Sequence, residues 1–451
     1  MGEKETESLA RFVSPAAYRN VRELSLRLAR RLSAEDQTAQ SMPDVSPTKW
    51  HLAHTTWFFE TFVLRQHVAD YQPFCAEFEV LFNSYYNSVG SQFPRAARGV
   101  ITRPGASEVL QYRQAVDEAL CRSLSRLGPA AHFLVELGLH HEQQHQELLL
   151  TDIKHVLSRN PTHPVYVPPT FSLTPQEEGG ALNERSQAPM NFLAFEGGQV
   201  SIGAAATANS GFCYDNEGPA HEVLLRDFEL SARPINNADV LQFIAAGGYR
   251  DPLLWLSDGA LWLQKCQRKA PLYWLARDDD DAAGHGESSA WRHFTLHGLQ
   301  PIDPQETAAH LSFFEADAIA RFFQARLPSE QEWEWAAHCQ MDAGHWLPER
   351  AIYDERSPIP GRPQDQSPGR LAQLFGGCWE WTQSAYLPYP GYQPPSGAVG
   401  EYNGKFMHNQ MVLRGGSCVT PPGHLRATYR NFFPSDACWQ FSGARLARDV
   451  I

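Results

Sequence analysis

The first 160 residues carry hydrophobic positions at the spacing of a helix. Val21, Leu24 and Leu28 recur every three to four residues among arginines, so they share one helix face. Similar stretches without an internal breaker predict helices over 18–32, 48–66, 109–127 and 130–158. Four long helices with short connections favour an antiparallel bundle.

The pattern changes after residue 158. Five prolines between 161 and 175 make 159–190 unsuited to a helix or a central strand, so we expect an extended connection there. Beyond it, glycines, tryptophans and short apolar runs such as 223–225 and 411–413 predict an irregular α+β domain. Only 237–246 and 315–325 are predicted as helices in that part. The expected domains are a helical bundle at 1–158, a proline-rich linker at 159–190 and a second domain at 191–451.

Composition narrows the classes of protein. The formal charge of −13 over 451 residues argues against a protein that binds nucleic-acid phosphates. No apolar run reaches the length of a membrane span, and no basic-then-apolar leader opens the chain. Eight cysteines without tight spacing suit a reducing compartment. We therefore expect a cytoplasmic protein without nucleic-acid or membrane partners, and its oligomeric state stays open.

The fourth predicted helix carries a histidine pair. His141 and His145 are four residues apart, so their imidazoles stand on one face and can bind one ion. His140 is rotated away by about 100°, and Glu147 also lies off that face. An ordinary polar helix face would have the same composition, so the histidine pair alone does not establish a metal site.

A third ligand has to come from another helix. His51 and His54 on the second predicted helix are both candidates, and His54 lies closer to the apolar stripe that contains Trp50 and Trp57. Three neutral imidazoles in a bundle can hold zinc or a ferrous ion and leave positions open for substrates. No cysteine accompanies these histidines, which weakens the case for a structural zinc site.

Motifs in both halves resemble a known family. The pattern His141-x3-His145-x-Glu147, preceded by Leu-Ala-His54, resembles the DinB-like domain of the ergothioneine sulfoxide synthases. The second domain is similar to the formylglycine-generating-enzyme fold, a C-type-lectin relative, at 195–198, 215–219, 326–330, 377–382, 413–417 and 443–448. The resemblance implies a multidomain α and α+β protein, with an N-terminal DinB-like four-helix bundle followed by a formylglycine-generating-enzyme-like (C-type-lectin-like) domain.

The resemblance also implies a reaction. Members of the family are non-heme iron enzymes that use Fe(II), dioxygen, hercynine (the trimethylated betaine of histidine) and a thiol. They join the sulfur of cysteine or γ-glutamylcysteine to the hercynine imidazole and leave a sulfoxide, in ergothioneine biosynthesis. Carried over by position, His54, His141 and His145 are the expected iron ligands.

The same resemblance assigns substrate-binding residues. Gln144 matches a position that contacts the betaine, and Asn431, Phe432 and Phe433 match the family's betaine-binding segment. A quaternary ammonium forms no hydrogen bonds and is best held against aromatic faces, which the two phenylalanines can supply. The Asn431 amide is expected to donate to the betaine carboxylate. Without the resemblance, two packed core phenylalanines would explain the segment equally well.

Tandem tyrosines follow the second predicted helix. In the branch of the family that this chain most resembles, tyrosines at the positions of Tyr85 and Tyr86 lie beside the metal. A phenol there is expected to donate a proton during dioxygen activation and to direct the thiolate towards C–S coupling. The two tyrosines are not ranked, and aromatic packing is the alternative explanation.

Several alternatives stay open. The branch commonly has arginine before the Trp-Gln-Phe-Ser-Gly segment, whereas this chain has Cys438, which puts an anionic sulfur donor in question. A related selenoneine synthase joins hercynine to a selenosugar. A non-catalytic binding module and a zinc-dependent thiol transferase are further alternatives. Copper–thiolate chemistry is not expected, because no second cysteine follows Cys418 within 419–430, and we expect Cys418 to be packed.

Overall fold

The computed structural model describes residues 13–169, 190–205, 211–276, 291–346, 353–363 and 367–450. The chain divides into two compact units. Unit 1 consists of Met1–Pro161 together with Ala205–Gly218 and Gly391–Lys405, and unit 2 consists of Thr162–Ala204, Pro219–Pro390 and Phe406–Ile451. Two segments that follow the expected linker in the sequence, Ala205–Gly218 and Gly391–Lys405, thus belong to unit 1.

Unit 1 contains the four long helices that the hydrophobic spacing predicts. In chain order its α-helices are α1 (Pro15–Ala29), α2 (Thr48–Phe59), α3 (Phe78–Phe82), α4 (Ala106–Ser123) and α5 (Pro129–Ser158). After Phe59, α2 continues through a π-helical turn at Glu60–Leu64 into Arg65–His67. Short 3₁₀ turns occupy Asp36–Thr38, Arg95–Val100 and Leu124–Arg126. The predicted helices are confirmed, with ends displaced by a few residues.

Helix α2 is the centre of unit 1. All twelve of its residues are buried, and the helix packs against both α4 and α5, while α1 packs against α5. A helix that is covered on all sides needs no polar face, so a periodic pattern is weak there. The ends of the long helices follow local rules, because Ser14 caps α1 by accepting a hydrogen bond from the amide of Ala17 and Pro129 occupies the first turn of α5.

A buried carboxylate, that of Glu142 on α5, joins three helices. It accepts hydrogen bonds from the Arg22 guanidinium at 2.7 Å and the Ser25 hydroxyl at 2.5 Å, both on α1, and from Arg113 on α4. Burial alone would raise the pKa of Glu142, but Arg113, Arg22 and the Ser25 hydroxyl lower it to about 2. The carboxylate is therefore charged, and its two guanidinium partners are neutralised inside the bundle.

The described residues of unit 2 form short strands and four further α-helices. The helices are α6 (Asn237–Ala245), α7 (Ser257–Cys266), α8 (Phe313–Phe322) and α9 (Glu330–Asp342). The strands are β1 (Phe192–Phe195), β2 (Gly198–Ile202), β3 (His221–Leu225), β4 (Phe228–Ser231), β5 (Trp274–Ala276), β6 (Trp291–Thr295), β7 (Gly298–Pro301), β8 (Trp379–Ala385), β9 (Met411–Arg414), β10 (Asn431–Phe433), β11 (Ser442–Gly443) and β12 (Ala447–Asp449). They form four small sheets, ordered β1-β4-β12, β10-β9-β8-β11, β2-β3 and β5-β6-β7.

The prediction of only two helices in the second domain was wrong. Helices α6 and α8 agree with it, but α7 and α9 were missed. The sequence of α9 does contain a start signal, since Ser329 and Glu332 form a reciprocal capping box. Its polar, tryptophan-containing sequence has a weak helical periodicity, however, because most of its glutamates are buried in ion pairs rather than exposed.

The motifs of the second domain supply its buried ion pairs. Arg414 on β9 contacts Glu334 at 2.5 Å, Arg430 contacts Glu330 at 2.8 Å, and Arg445 contacts Glu380 at 3.1 Å. Breaking one such pair would leave an uncompensated charge in the core. Many of the residues that resemble the formylglycine-generating-enzyme fold therefore stabilise the fold through buried ion pairs.

The described part of the expected linker packs against unit 2. The amides of Tyr166 and Val167 both donate to the carbonyl oxygen of Leu296, at 3.0 and 3.1 Å. The ring Nδ1 of His297 lies 2.7 Å from the Val167 carbonyl oxygen. Residues 170–189 of the expected linker lie outside the described residues, so its boundaries stay a prediction.

Membrane spanning can be checked against the helices themselves. Within the described ranges, no helix combines the length and the apolar character needed to cross a bilayer.

We expect Glu142→Gln to destabilise the protein by about 3–5 kcal/mol, because two buried guanidinium groups lose their shared anion. Chemical denaturation followed by far-UV circular dichroism measures this change. The matched control is Glu23→Gln, which removes the exposed Arg30–Glu23 pair and should cost less than about 1 kcal/mol. Equal losses for the two variants would contradict a central role for Glu142.

Candidate metal centre

Three imidazoles come together inside unit 1. His54 on α2 and His141 and His145 on α5 each offer one ring nitrogen, and these nitrogens lie within 4.8 Å of one another. The Nε2 atoms of His54 and His141 are 3.2 Å apart, close to the separation of roughly 3–3.5 Å that two nitrogens have when both bind one ion at about 2.1 Å. The structure thus brings together the three histidines that were expected to share an ion.

Local sequence explains why these side chains meet. The uninterrupted α5 places His141 and His145 one turn apart on the same face. On α2, the ring of His54 lies between two tryptophans of its own helix, with centroids 4.6 Å from Trp50 and 5.6 Å from Trp57 and nearly parallel planes. The aromatic stripe therefore fixes the direction of the His54 imidazole.

Hydrogen bonds prepare the nitrogens for a cation. The Nδ1 of His54 donates to the carbonyl oxygen of Phe82 at 2.6 Å, which leaves Nε2 with its lone pair. Burial, followed by the neighbouring His141, lowers the pKa of His54 well below its usual value. Burial also lowers the pKa of His141 to about 3, and burial with His141 and His54 lowers the pKa of His145. Neutral imidazoles with converging lone pairs fit a divalent metal ion.

His51, the other candidate on α2, is engaged elsewhere. Its Nδ1 lies 2.8 Å from Nδ1 of His145, and its Nε2 lies 3.0 Å from the carboxylate of Asp152. With both ring nitrogens hydrogen-bonded, His51 offers no lone pair to an ion. The structure therefore favours His54 over His51. His140 lies as expected on a different side of α5, where it stacks on Phe212 at 3.9 Å.

Tyr402 is a residue at this site that sequence reasoning missed. It belongs to the Gly391–Lys405 segment of unit 1. Its ring meets His141 edge-on at a centroid distance of 5.7 Å, and its hydroxyl donates to Oε1 of Gln144. Tyr214, from the other inserted segment, stacks on Tyr402 at 5.5 Å. Both segments follow no periodic pattern, and nothing local in the sequence indicated that they join the bundle.

The tandem tyrosines also lie in the aromatic environment of α2. Tyr85 and Tyr86 stack on each other at 4.7 Å, and Tyr86 lies 5.7 Å from Trp57, the tryptophan that covers His54. Asn83 holds the loop, since its side chain bonds both the amide and the carbonyl group of Tyr86. Burial raises the pKa of both phenols, so each stays protonated at neutral pH.

The carboxylate of Glu401 binds the tyrosine loop from outside. It accepts hydrogen bonds from the amides of Asn87 and Ser88, both at 2.9 Å, from the Ser88 hydroxyl at 2.6 Å and from Lys405 at 2.9 Å. Partial burial raises the pKa of Glu401, but these donors outweigh it and lower the pKa to about 2. The Glu401 carboxylate therefore stays charged at any pH near neutrality.

The predicted betaine segment is strand β10 of unit 2. Phe432 stacks on Tyr386 at 4.0 Å, so one face of its ring is covered, and Phe433 meets Trp439 edge-on at 6.1 Å. The side-chain oxygen Oδ1 of Asn431 accepts a hydrogen bond from the backbone amide of Phe432 at 2.9 Å, so the NH2 group of the same side chain is its remaining donor. All three residues are half-buried.

None of the eight cysteines forms a disulfide bond. Cys418 is buried, as expected for a packed residue. Burial raises the pKa of Cys438 to about 12, although the Arg268 guanidinium opposes this effect. Arg268 donates to the Cys438 sulfur at 3.2 Å. Arg268, from the residues after α7, thus places a cation beside Cys438, where the family resemblance implies an arginine.

Comparison with known proteins first defines the class. Residues 17–149 match the model of the DinB superfamily, and residues 180–450 match the model of the sulfatase-modifying factor enzyme 1-like domain. The chain therefore joins a DinB-type helical domain to a formylglycine-generating-enzyme-like domain, as the motifs predicted.

Full-length relatives then define the family. The chain is 30% identical to the hercynine oxygenase of Mycolicibacterium smegmatis, over 95% of this chain and 97% of the relative. It is 29% identical to that of Mycolicibacterium thermoresistibile, over 90% and 88% of the two chains. The ergothioneine biosynthesis protein 1 of Schizosaccharomyces pombe is 25% identical over 53% of this chain and 28% of its own length. This chain belongs to the hercynine oxygenases, the sulfoxide synthase family of ergothioneine biosynthesis.

We expect Glu401→Gln to loosen the tyrosine loop, because hydrogen bonds to a charged group are stronger than those to an amide. Amide hydrogen exchange in a peptide covering residues 83–90 should accelerate by at least about tenfold, measured by mass spectrometry. Glu222→Gln, an exposed carboxylate on β3, is the control and should leave that peptide unchanged. Unaltered exchange in Glu401→Gln would show that the loop is held by other contacts.

Proposed function

We propose that this chain is a non-heme iron sulfoxide synthase. It couples hercynine to a thiol, cysteine or γ-glutamylcysteine, with Fe(II) and O2, and forms a hercynyl sulfoxide in ergothioneine biosynthesis. The observation that carries the proposal is the buried cluster of His54, His141 and His145 in a chain of the hercynine oxygenase family. Eight cysteines that form no disulfide bond suit a reducing compartment, so we propose a cytoplasmic enzyme.

The overall reaction balances with dioxygen as the only oxidant. The C2–H bond of the hercynine imidazole and the S–H bond of the thiol break, a C–S bond forms, and the sulfur gains one oxygen atom. The second oxygen atom leaves as water with the two released hydrogens. Carbon–sulfur coupling and sulfur oxidation each remove two electrons, and together they account for the four-electron reduction of O2.

The three imidazoles are proposed to hold the iron. When bound, the ferrous ion supplies a place for the substrates and the electrons that start dioxygen reduction. His54, His141 and His145 are neutral because burial lowers their pKa values. A neutral ligand set leaves the positive charge of the ion available to a thiolate, which favours the anionic form of the sulfur donor.

Gln144 is proposed to orient hercynine. Its Oε1 accepts from the Tyr402 hydroxyl, and this assigns the amide orientation so that the NH2 end is directed away from Tyr402. An NH2 group can donate to the carboxylate of a betaine. Asn431 is proposed to make the same kind of contact, and Phe432 and Phe433 to provide aromatic surface for the trimethylammonium group.

One of the two tandem tyrosines, Tyr85 or Tyr86, is proposed as the proton donor of the reaction. Their phenols stay protonated because burial raises both pKa values. A protonated phenol in an aromatic environment can deliver a proton to a developing anion without admitting water. The loop contacts of Asn83 and Glu401 hold both tyrosines in place.

The sulfur donor is proposed to be anionic. Cys438 replaces the arginine of the branch, but the Arg268 guanidinium contacts its sulfur at 3.2 Å, and Nε of Arg268 has no hydrogen-bond partner among the described residues. A positive charge therefore remains in this part of unit 2. That observation favours a carboxylate-bearing thiol over an uncharged selenosugar.

Turnover assays test the reaction. Enzyme loaded anaerobically with Fe(II) is mixed with hercynine, O2 and one donor at a time: cysteine, γ-glutamylcysteine or a selenosugar. We expect the mass of a hercynyl sulfoxide with a thiol, together with O2 consumption, and neither with His141→Gln. A coupled product only with the selenosugar would make the protein a selenoneine synthase. Hercynine binding without O2 consumption would make it a binding module, and thiol transfer with zinc alone would make it a transferase.

We expect Tyr85→Phe/Tyr86→Phe to reduce sulfoxide formation by at least about 100-fold, the contribution of a general acid. The O2 consumed by this variant should instead oxidise the thiol alone, so the ratio of disulfide to sulfoxide rises. Liquid chromatography with mass spectrometry measures both products. Tyr249→Phe, which removes another buried phenol in unit 2, should keep the product ratio. An unchanged ratio in the double variant would exclude the tyrosines as proton donors.

A further inference from the structure

A chain of hydrogen bonds continues from the histidine cluster into the core of unit 1. Nδ1 of His145 lies 2.8 Å from Nδ1 of His51, and Nε2 of His51 lies 3.0 Å from Oδ2 of Asp152. His51 and Asp152 are each 3% exposed. His51 comes from α2 and the other two residues from α5, so the chain links the two helices that carry the cluster.

The direction of this chain follows from Asp152. The same Oδ2 atom accepts a hydrogen bond from the backbone amide of Ser46 at 2.8 Å. A backbone N–H can only donate, so Oδ2 is an acceptor, and Nε2 of His51 must donate to it. In the neutral imidazole, Nδ1 of His51 then accepts the proton of His145 Nδ1. The one nitrogen of His145 left with a lone pair is Nε2.

Hydrogen bonds in the opposite direction would prevent His145 from binding a metal ion. If His51 donated to His145 from Nδ1, the proton of neutral His145 would lie on Nε2, where no metal could bind. His54 avoids the same problem through the Phe82 carbonyl oxygen, which holds the proton on Nδ1. Both histidines are thus prepared as Nε2 ligands, one by a backbone carbonyl and the other by a side-chain relay.

We propose that His51 and Asp152 are positioning residues that fix the tautomer and the orientation of His145. The inference rests on the proposed metal site and extends it to two side chains that would not touch the ion. The relay explains why a histidine and an aspartate are buried behind the cluster in hydrogen-bonding geometry. It also assigns a function to His51, whose two ring nitrogens are both engaged in hydrogen bonds and so cannot bind the ion.

Metal titration tests the relay without turnover. Apo-protein is titrated anaerobically with Fe(II) and, separately, with Co(II), whose visible absorption reports the geometry of its ligands. Removing an outer hydrogen-bond partner of a histidine ligand typically weakens metal binding by about 10–100-fold. We expect losses of this size in His51→Phe and Asp152→Ala, with an altered Co(II) spectrum. Asp152→Asn keeps an acceptor oxygen for both Ser46 and His51, and should restore most of the affinity.

The matched control is His155→Gln, one turn further along α5. His155 is also buried and hydrogen-bonded, through Nδ1 to the Ser41 hydroxyl at 2.6 Å, but it has no part in the relay. We expect this variant to lose thermal stability yet to bind Co(II) with the affinity and spectrum of the unmodified protein. A purely structural role for His51 and Asp152 would make their variants behave in the same way.

Each outcome separates the two hypotheses. If the unmodified protein binds neither Fe(II) nor Co(II), the metal site and this inference both fail. If it binds them, and Asp152→Ala or His51→Phe keeps the same affinity and spectrum, only the relay is overturned. Equal weakening in Asp152→Asn and Asp152→Ala, or in His155→Gln, would likewise overturn it. If His51→Phe does not fold, the two Asp152 variants and the His155 control decide the question.

Discussion

The carboxylate of Glu142 sets the rotation of the longest helix. It neutralises two buried guanidinium groups, from Arg22 on α1 and Arg113 on α4. Rotating α5 would separate these charges inside the core, at a cost that side-chain packing could not offset. His141 is the adjacent residue, and His145 follows one turn later, so the same interaction directs both imidazoles towards α2. The position of the histidine cluster therefore depends on an ion pair that takes no part in the chemistry.

Burial of the three histidines destabilises their charged forms and thereby favours metal binding. Removing His54, His141 and His145 from water disfavours their charged forms, which keeps the lone pairs available for a cation. The remaining polar atoms of the cluster are largely matched, by the Phe82 carbonyl oxygen at His54 and by His51 at His145. The same desolvation strengthens any electrostatic interaction formed there. A buried, neutral and pre-oriented ligand set is what a protein needs to hold a metal with positions left for substrates.

The two units are not consecutive pieces of chain. Ala205–Gly218 and Gly391–Lys405 follow the helical part of the sequence but belong to unit 1. The Gly391–Lys405 segment brings Tyr402 to His141 and Glu401 to the loop that carries Tyr85 and Tyr86. Arg268 gives a second example, because it supplies a guanidinium to Cys438 from a distant part of the sequence. Comparing motifs position by position does not show such contacts, because the two residues are far apart in the sequence.

The sequence by itself determined the four long helices, the pairing of His141 with His145 and the class of both domains. These features depend on helical periodicity, on spacing along one helix or on contiguous motifs, all of which are local. It favoured His54 over His51 only through the apolar stripe and the family resemblance, missed α7 and α9, and gave no sign of Tyr402 or of the His51–Asp152 relay. Those outcomes depend on which buried groups find hydrogen-bond partners from other elements. Only the tertiary structure decides them, because the free energy of a buried polar group depends on neighbours that are distant in the chain.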